Sequence, residues 1–234
     1  MNGLSAVVMA AGEGTRLRPL TERWPKPVLP IDGRPVLATL LRDLGAAGFA
    51  EATVVTGHLA ERVEALVGDG SSFGLRVSTV RQPEALGSAD AVLRAVDAGV
   101  EAPLLVTAAD TVFACGDLAR AVETWTAASA AGALGVREGG REEQTAVRVS
   151  GGAVVEIGGD ERTHTAAPLW ILGEELVAAL REVPGPPYEI QQAVQRAMAA
   201  GKEIMALEVG PTRDLTRPAD IVTHNFPYLW GEDR

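Results

Sequence analysis

The run LSAVVMAAGEGTRL, residues 4–17, decides how the rest of the chain is read. Residues 4–10 are apolar or small, with two adjacent valines, and Gly12 and Gly14 close the run. A short apolar run ended by glycines is predicted to be a buried strand entering a turn. The pattern returns at EATVVTG (51–57), LRVSTV (75–80) and APLLVTAAD (102–110). Between these runs, PVLATLLRDLGAAG (35–48), LAERVEALVG (59–68) and SADAVLRAVDAG (88–99) place apolar residues at helical spacing. Proline opens the first of these and Gly68 ends the second, as helix starts and stops do. Four strands alternating with helices predict βαβ units and a mostly parallel sheet whose strands are buried on both faces.

The texture changes after residue 115. Helices are predicted over 117–132, 174–183, 189–201 and 218–226. Strand-like runs are predicted at 132–136, 145–149, 153–157, 165–172 and 203–209, among glycine-rich turns. No repeat and no long linker interrupts the 234 residues, so a single domain over 1–234 is expected. Its first half, to about residue 115, is the nucleotide-fold half, and about 116–234 is an irregular α+β half packed on the same sheet.

The formal net charge of −10 disfavours a nucleic-acid surface, which needs a basic field. An acidic chain can still bind a small anion where its cations are concentrated. Cys115 is the only cysteine, which excludes an intrachain disulfide and a cysteine-based metal cluster. The opening apolar run lacks a basic n-region and is not read as a signal peptide. No uncharged stretch approaches the ~18 residues of a membrane span, so a cytoplasmic protein without a membrane partner is expected.

The cations gather directly after the first strand. The segment reads Gly12-x-Gly14-x-Arg16-Leu17-x-Pro19-Leu20-Thr21, then Pro25-Lys26-Pro27. Glycines let consecutive backbone N–H groups face an anion, and an open α/β sheet takes ligands at the carboxyl ends of its strands. A bare Gly-x-Gly equally suits a tight turn. A dinucleotide fingerprint would need glycine where Leu17 stands, and no Gly-Lys-Ser/Thr closes a Walker loop. The prolines hold Lys26 in an extended segment instead of a helix.

This segment resembles the signature of the sugar-1-phosphate nucleotidylyltransferases, complete in type and spacing over 12–27. A second segment, RQPEALGSADAVLRA (81–95), is similar to the family's base-reading stretch. The resemblance implies an α/β, Rossmann-like three-layer sandwich on a mostly parallel mixed sheet. It implies attack by a sugar-1-phosphate on the α-phosphorus of a nucleoside triphosphate, UTP or dTTP, with release of pyrophosphate. It places the triphosphate on Ala11, Gly12, Gly14 and Thr15, and the base on Gln82 and Gly87, where the glutamine amide both donates and accepts. Arg16 and Lys26 become the catalytic cations, with Arg18 and Arg23 on the loop surface. Magnesium is implied on Asp110, at the end of a strand, and on Asp214 in TRDLTRPADI.

The resemblance thins in the second half, which is its sugar-phosphate half. Gly159 and Asp160 stand where relatives carry Glu-Lys, and Leu215 or a gap replaces a glycine after Asp214. Of a Glu-Tyr-Glu-Ile segment, Tyr188, Glu189 and Ile190 remain. Glu189 suits a sugar hydroxyl and suits equally an exposed first helical turn. His164 and Trp170, near the expected pocket, suit packing. Three alternatives stay open: a non-catalytic nucleotide or nucleotide-sugar-binding regulator, a cytidylyltransferase acting on a phosphate such as phosphocholine, and a dinucleotide oxidoreductase. The last is disfavoured by Thr56-Gly57-His58, where an acidic ribose binder is needed. The expected partners are the triphosphate and the sugar phosphate, with a homo-oligomer left open.

Overall fold

The computed structural model describes residues 3–128, 130–139 and 144–226. Its first strand, β1 (Ser5–Ala10), lies in the middle of a parallel group. The hairpin β2 (Pro30–Ile31) and β3 (Arg34–Pro35) leads into α1 (Val36–Ala46). Then come β4 (Glu51–Thr56), α2 (Ala60–Val67), β5 (Arg76–Arg81), α3 (Ser88–Asp97) and β6 (Leu104–Ala108). The second half adds β7 (Thr111–Val112), α4 (Asp117–Thr126), β8 (Gly132–Glu138), β9 (Ala146–Ser150), β10 (Ala153–Ile157) and β11 (His164–Leu172). It closes with α5 (Glu174–Ala179), α6 (Ile190–Ala199), β12 (Ile204–Glu208), β13 (Arg213–Asp214) and α7 (Pro218–Asn225). The helix expected over 117–132 stops at Thr126, and residue 129 of that span lies outside the described residues.

Nine strands form one sheet in the order β5-β4-β1-β6-β11-β8-β12-β10-β9. β5, β4, β1 and β6 run parallel, as their helical crossovers require. β11 joins β6 antiparallel and carries the second half into the same sheet. Alternation along each strand feeds two cores. Ala6 and Val8 of β1 pack with Leu37, Leu40, Leu41 and Leu44 of α1 on one face. Val7 packs with Ala89, Val92 and Ala95 of α3 on the other. The four α1 leucines are fully buried, each contributing roughly 1.5–3 kcal/mol by leaving water. The outcome is the expected three-layer α/β sandwich on a mixed sheet, but the sheet is mostly parallel only in its first half. β11 pairs antiparallel with β6, β8 and β9, and β10 with β9 and β12, because hairpin-type connections replace helical crossovers there.

Strand burial also departs from expectation. β5 is not buried on both faces: four of its six residues are exposed, because it is the edge strand. The expected burial holds for β4, where only Glu51 is exposed.

A third, smaller cluster lies apart from these two. Leu17, Leu29, Ile31, Val36, Val112 and Leu215 are buried together at the carboxyl end of the parallel strands. α7 holds this corner down from outside: the Asn225 side chain donates to Pro30 O at 2.8 Å and accepts from Gly33 N at 2.8 Å. Among the described residues no helix is long and apolar enough to cross a membrane.

Candidate active site

In strand order, β1 lies between β4, which follows it in the chain, and β6, which comes later. The connections therefore diverge to opposite sides of β1, and a crevice opens at the carboxyl ends of β1 and β6. A cleft of about 540 Å³ occupies this place. Ala11, Gly12, Gly14, Thr15, Arg16, Lys26, Gln82, Gly87, Asp110 and Glu189 all line it.

The loop after β1 forms one wall. Gly14 has φ 63°, and a Cβ there would lie 2.9 Å from Thr21 Cγ2, so both the backbone and the space call for glycine. The Thr21 hydroxyl donates to Gly14 O at 2.9 Å and closes the loop on itself. The N–H groups of residues 12–16 donate to no protein acceptor among the described residues. A methyl added at Gly12 would meet nothing within 4 Å. Five consecutive open donors beside free space form an arrangement suited to phosphate oxygens. Arg16 forms no ion pair among the described residues, whereas Arg18 is tied to Glu13 at 3.0 Å and is exposed.

Two residues hold this loop from behind, and the sequence signalled neither. His58, after β4, puts Nε2 2.7 Å from Thr21 O, and its N–H donates to Ala11 O at 3.1 Å. Arg62 of α2 lies 4.3 Å over the ring of the half-exposed Trp24.

Lys26 reaches across the cleft to Asp110, its Nζ donating to Oδ2. Both side chains are largely shielded, at 17 % and 23 % exposure, so the pair is sheltered from the screening that weakens surface ion pairs. Asp214 does not itself line the cleft but is held beside it. β13 pairs antiparallel with β7, setting Asp214 opposite Thr111, the residue after Asp110. Thr216 donates to Asp214 Oδ2 at 3.1 Å and itself lines the cleft. Leu17, Val112 and Leu215 of the third cluster stand next to Arg16, two residues after Asp110 and next to Asp214. Leu215 is thus fully buried and anchors the strand that carries Asp214.

Gln82 and Gly87, the pair expected to read a base, differ from expectation in one respect. Gln82 is buried at 4 % exposure, and its Nε2 donates both to Gly87 O at 3.0 Å and to Asp90 Oδ2 at 2.8 Å. Both amide protons are therefore used within the protein. The amide does not both donate and accept toward a base; only Oε1 is left. Gly87 has φ 114° and lies against the backbone of Tyr188. Glu189 is not an isolated exposed residue: Ser88 donates to its Oε2, and the same hydroxyl accepts from Ile190 N at 2.9 Å, tying the starts of α3 and α6 together.

A family model described as nucleotidyl transferase matches residues 5–146, which carry the loop, Gln82 and Asp110. The chain belongs to the nucleotidyl transferase family. A glucose-1-phosphate thymidylyltransferase of Streptomyces griseus is 30% identical over 232 residues, covering 95% of this chain and 65% of that protein. The chain thus spans just under two thirds of that relative's length. A Bacillus anthracis structure assigned as a glucose-1-phosphate thymidylyltransferase aligns with TM-score 0.85 and 18% identity over 99% of this chain and 96% of that one. The inositol-1-phosphate CTP transferase of T. maritima aligns with TM-score 0.80 and 19% identity over 93% of this chain and 91% of that one. At these identities the two structures show the shared fold of this nucleotidyl transferase family member.

Proposed function

We propose that this chain transfers a nucleotidyl group from UTP or dTTP to a sugar-1-phosphate, yielding a nucleoside-diphosphate sugar and pyrophosphate with Mg²⁺. The observation that carries the reading is the loop of open N–H donors at 12–16, of which Gly12, Gly14, Thr15 and Arg16 line one cleft with Lys26 and Asp110. A sugar phosphate is largely dianionic at neutral pH, its second pKa being about 6, so no general base is required. One oxygen of it bonds to the α-phosphorus while the bridging α–β bond breaks, and the electron pair leaves with pyrophosphate. The protein's work is to gather anions and stabilise the charge that builds on them.

In this reading the loop N–H groups and the guanidinium of Arg16 hold the triphosphate. Lys26 exchanges Asp110 for the α-phosphate and the incoming phosphate. Glu189 accepts from a sugar hydroxyl through the oxygen that Ser88 leaves free. Among the described residues no three His, Cys, Asp or Glu side chains form a metal cluster. Asp110 and Asp214 are the two carboxylates that would hold magnesium, an ion that takes oxygen ligands. The bound ion would neutralise phosphate charge.

Pyrophosphate release with a panel of nucleoside triphosphates and sugar-1-phosphates tests the reading. Turnover is expected with at least one pair, and Lys26→Ala should lower kcat by about 10²–10³. Full activity in Lys26→Ala would remove Lys26 from the mechanism. Absence of turnover with every pair, alongside tight nucleotide-sugar binding, would assign the chain to a binding role instead.

A further inference from the structure

We infer that Asp90 is a positioning residue that fixes which end of the Gln82 amide meets the nucleobase, and so which bases the cleft accepts. This rests on reading the cleft as a nucleotide site. Gln82 is held at its backbone by Gln82 N donating to Thr56 O at 2.7 Å. Its side chain is held by two acceptors, the Gly87 carbonyl and the Asp90 carboxylate, neither of which can donate. Turning the amide over would place Oε1 against both oxygens, losing two hydrogen bonds and setting oxygen against oxygen twice. Asp90 is fixed in turn by Arg94, one turn further along α3, with Nη2–Oδ1 at 3.2 Å and Nε–Oδ2 at 3.4 Å. The frame is rigid as well. Ala89 N donates to Tyr188 O at 2.8 Å and Tyr188 N to Leu86 O at 2.7 Å, clamping the start of α3 on both sides of Gly87.

The group left for a ligand is an oxygen. Gln82 Oε1 accepts no hydrogen bond from the protein among the described residues, and Gln82 lines the cleft. An acceptor matches a base with a ring N–H on its pairing edge, as in uracil, thymine and guanine. Cytosine and adenine present a ring lone pair at that position, which would face the fixed oxygen. Discrimination therefore comes from repulsion as much as from the bond gained. Asp90 touches no ligand; it acts through Gln82.

The test is calorimetric binding of UTP, dTTP, GTP, CTP and ATP to the full chain with Mg²⁺. The wild type should bind a base with a ring N–H at least about tenfold more tightly than CTP or ATP, the scale of one lost or opposed hydrogen bond. Asp90→Ala frees the amide to turn, so the ratio of UTP to CTP affinity should fall by about fivefold or more, mainly because CTP binds better. Asp90→Asn keeps an acceptor oxygen toward Gln82 Nε2 and should keep the ratio. A role in stability alone would weaken all nucleotides together and leave the ratio unchanged, which would overturn the inference. Should Asp90→Ala not fold, Gln82→Glu and the double variant Gln82→Glu/Asp90→Asn replace it. The single change sets carboxylate against carboxylate and should weaken UTP binding. In the double variant, the amide introduced at position 90 can donate to the carboxylate introduced at position 82. At least part of the lost binding should then return, and no recovery would overturn the inference. A wild type that prefers CTP or ATP overturns this inference and leaves the nucleotide site standing. A wild type that binds no nucleotide overturns both.

Discussion

Replacing Leu215 by alanine should loosen the site before it unfolds the protein. Leu215 is fully buried in the third cluster, packed with Leu17 behind Arg16 and with Val112 beyond Asp110. Truncating a buried leucine costs about 2–5 kcal/mol in lost transfer energy and residual cavity, and about 3 kcal/mol suits a cluster of six that can partly collapse. An unfolding entropy of about 2.1 cal/mol/K per residue over 234 residues is ~0.5 kcal/mol/K, so Tm should fall by ~6 °C. Leu44→Ala is the control. Leu44 is equally buried, but it lies near the far end of α1, in the main core. Both variants should lose similar stability and both should be folded at 25 °C. Only Leu215→Ala should lose turnover there, by about tenfold or more, because displacements of the order of 1 Å at a reacting group can cost 10²-fold. Calorimetric melting and pyrophosphate release on the same samples provide the comparison. Equal turnover in the two variants, at equal loss of Tm, would refute the view that this cluster sets the geometry of the site.

Two further expectations follow from particular residues. Gly87→Ala forces a side chain at φ 114° and places its methyl 2.3 Å from Tyr188 O, so it should cost more than about 2 kcal/mol and weaken nucleotide binding; an unchanged melting curve would contradict that contact. Burial raises the Asp43 carboxyl above its usual 3.8, so the folded state holds this proton more tightly than the unfolded chain does. Ionised Asp43 therefore subtracts stability at neutral pH and subtracts nothing well below pH 3.8. Asp43→Asn should raise Tm at pH 7, and the gain should vanish as acid protonates the wild type; a gain independent of pH would argue against this cause.

The first half of the fold was legible because its strands are short apolar runs set between helices of regular period, and local pattern suffices for such elements. The exposure of β5 was not legible, since being an edge depends on strand order, and the apolar residues of 75–80 read the same in either place. The loop of 12–27 was legible in composition and spacing. Its supports were not: His58 and Arg62 come from another element, and nothing in their local sequence marks them as partners of Thr21 and Trp24. Gln82 was identified as a residue, but the direction of its amide depends on Asp90 and Gly87 eight and five positions away. Asp214 was placed by resemblance alone. Its position became a physical statement only through the pairing of β13 with β7 and the burial of Leu215, which composition would have read as an ordinary apolar residue.

The third cluster has a consequence for the order in which the molecule becomes competent. Leu17 and Leu215 meet across a separation of nearly 200 residues, a closure whose chain entropy alone costs about 5 kcal/mol. The parallel strands β1, β4, β5 and β6 lie within the first 108 residues, so the segment that carries the loop of residues 12–16 is made long before Asp214. Arg213 fastens the late segment to the early one through Asp32 at 2.6 Å. During synthesis on the ribosome, the last of these parallel strands therefore precedes Asp214 by about a hundred residues of translation. The cluster that backs this loop, and with it the proposed site, stays incomplete until residues 214 and 215 have emerged and folded back.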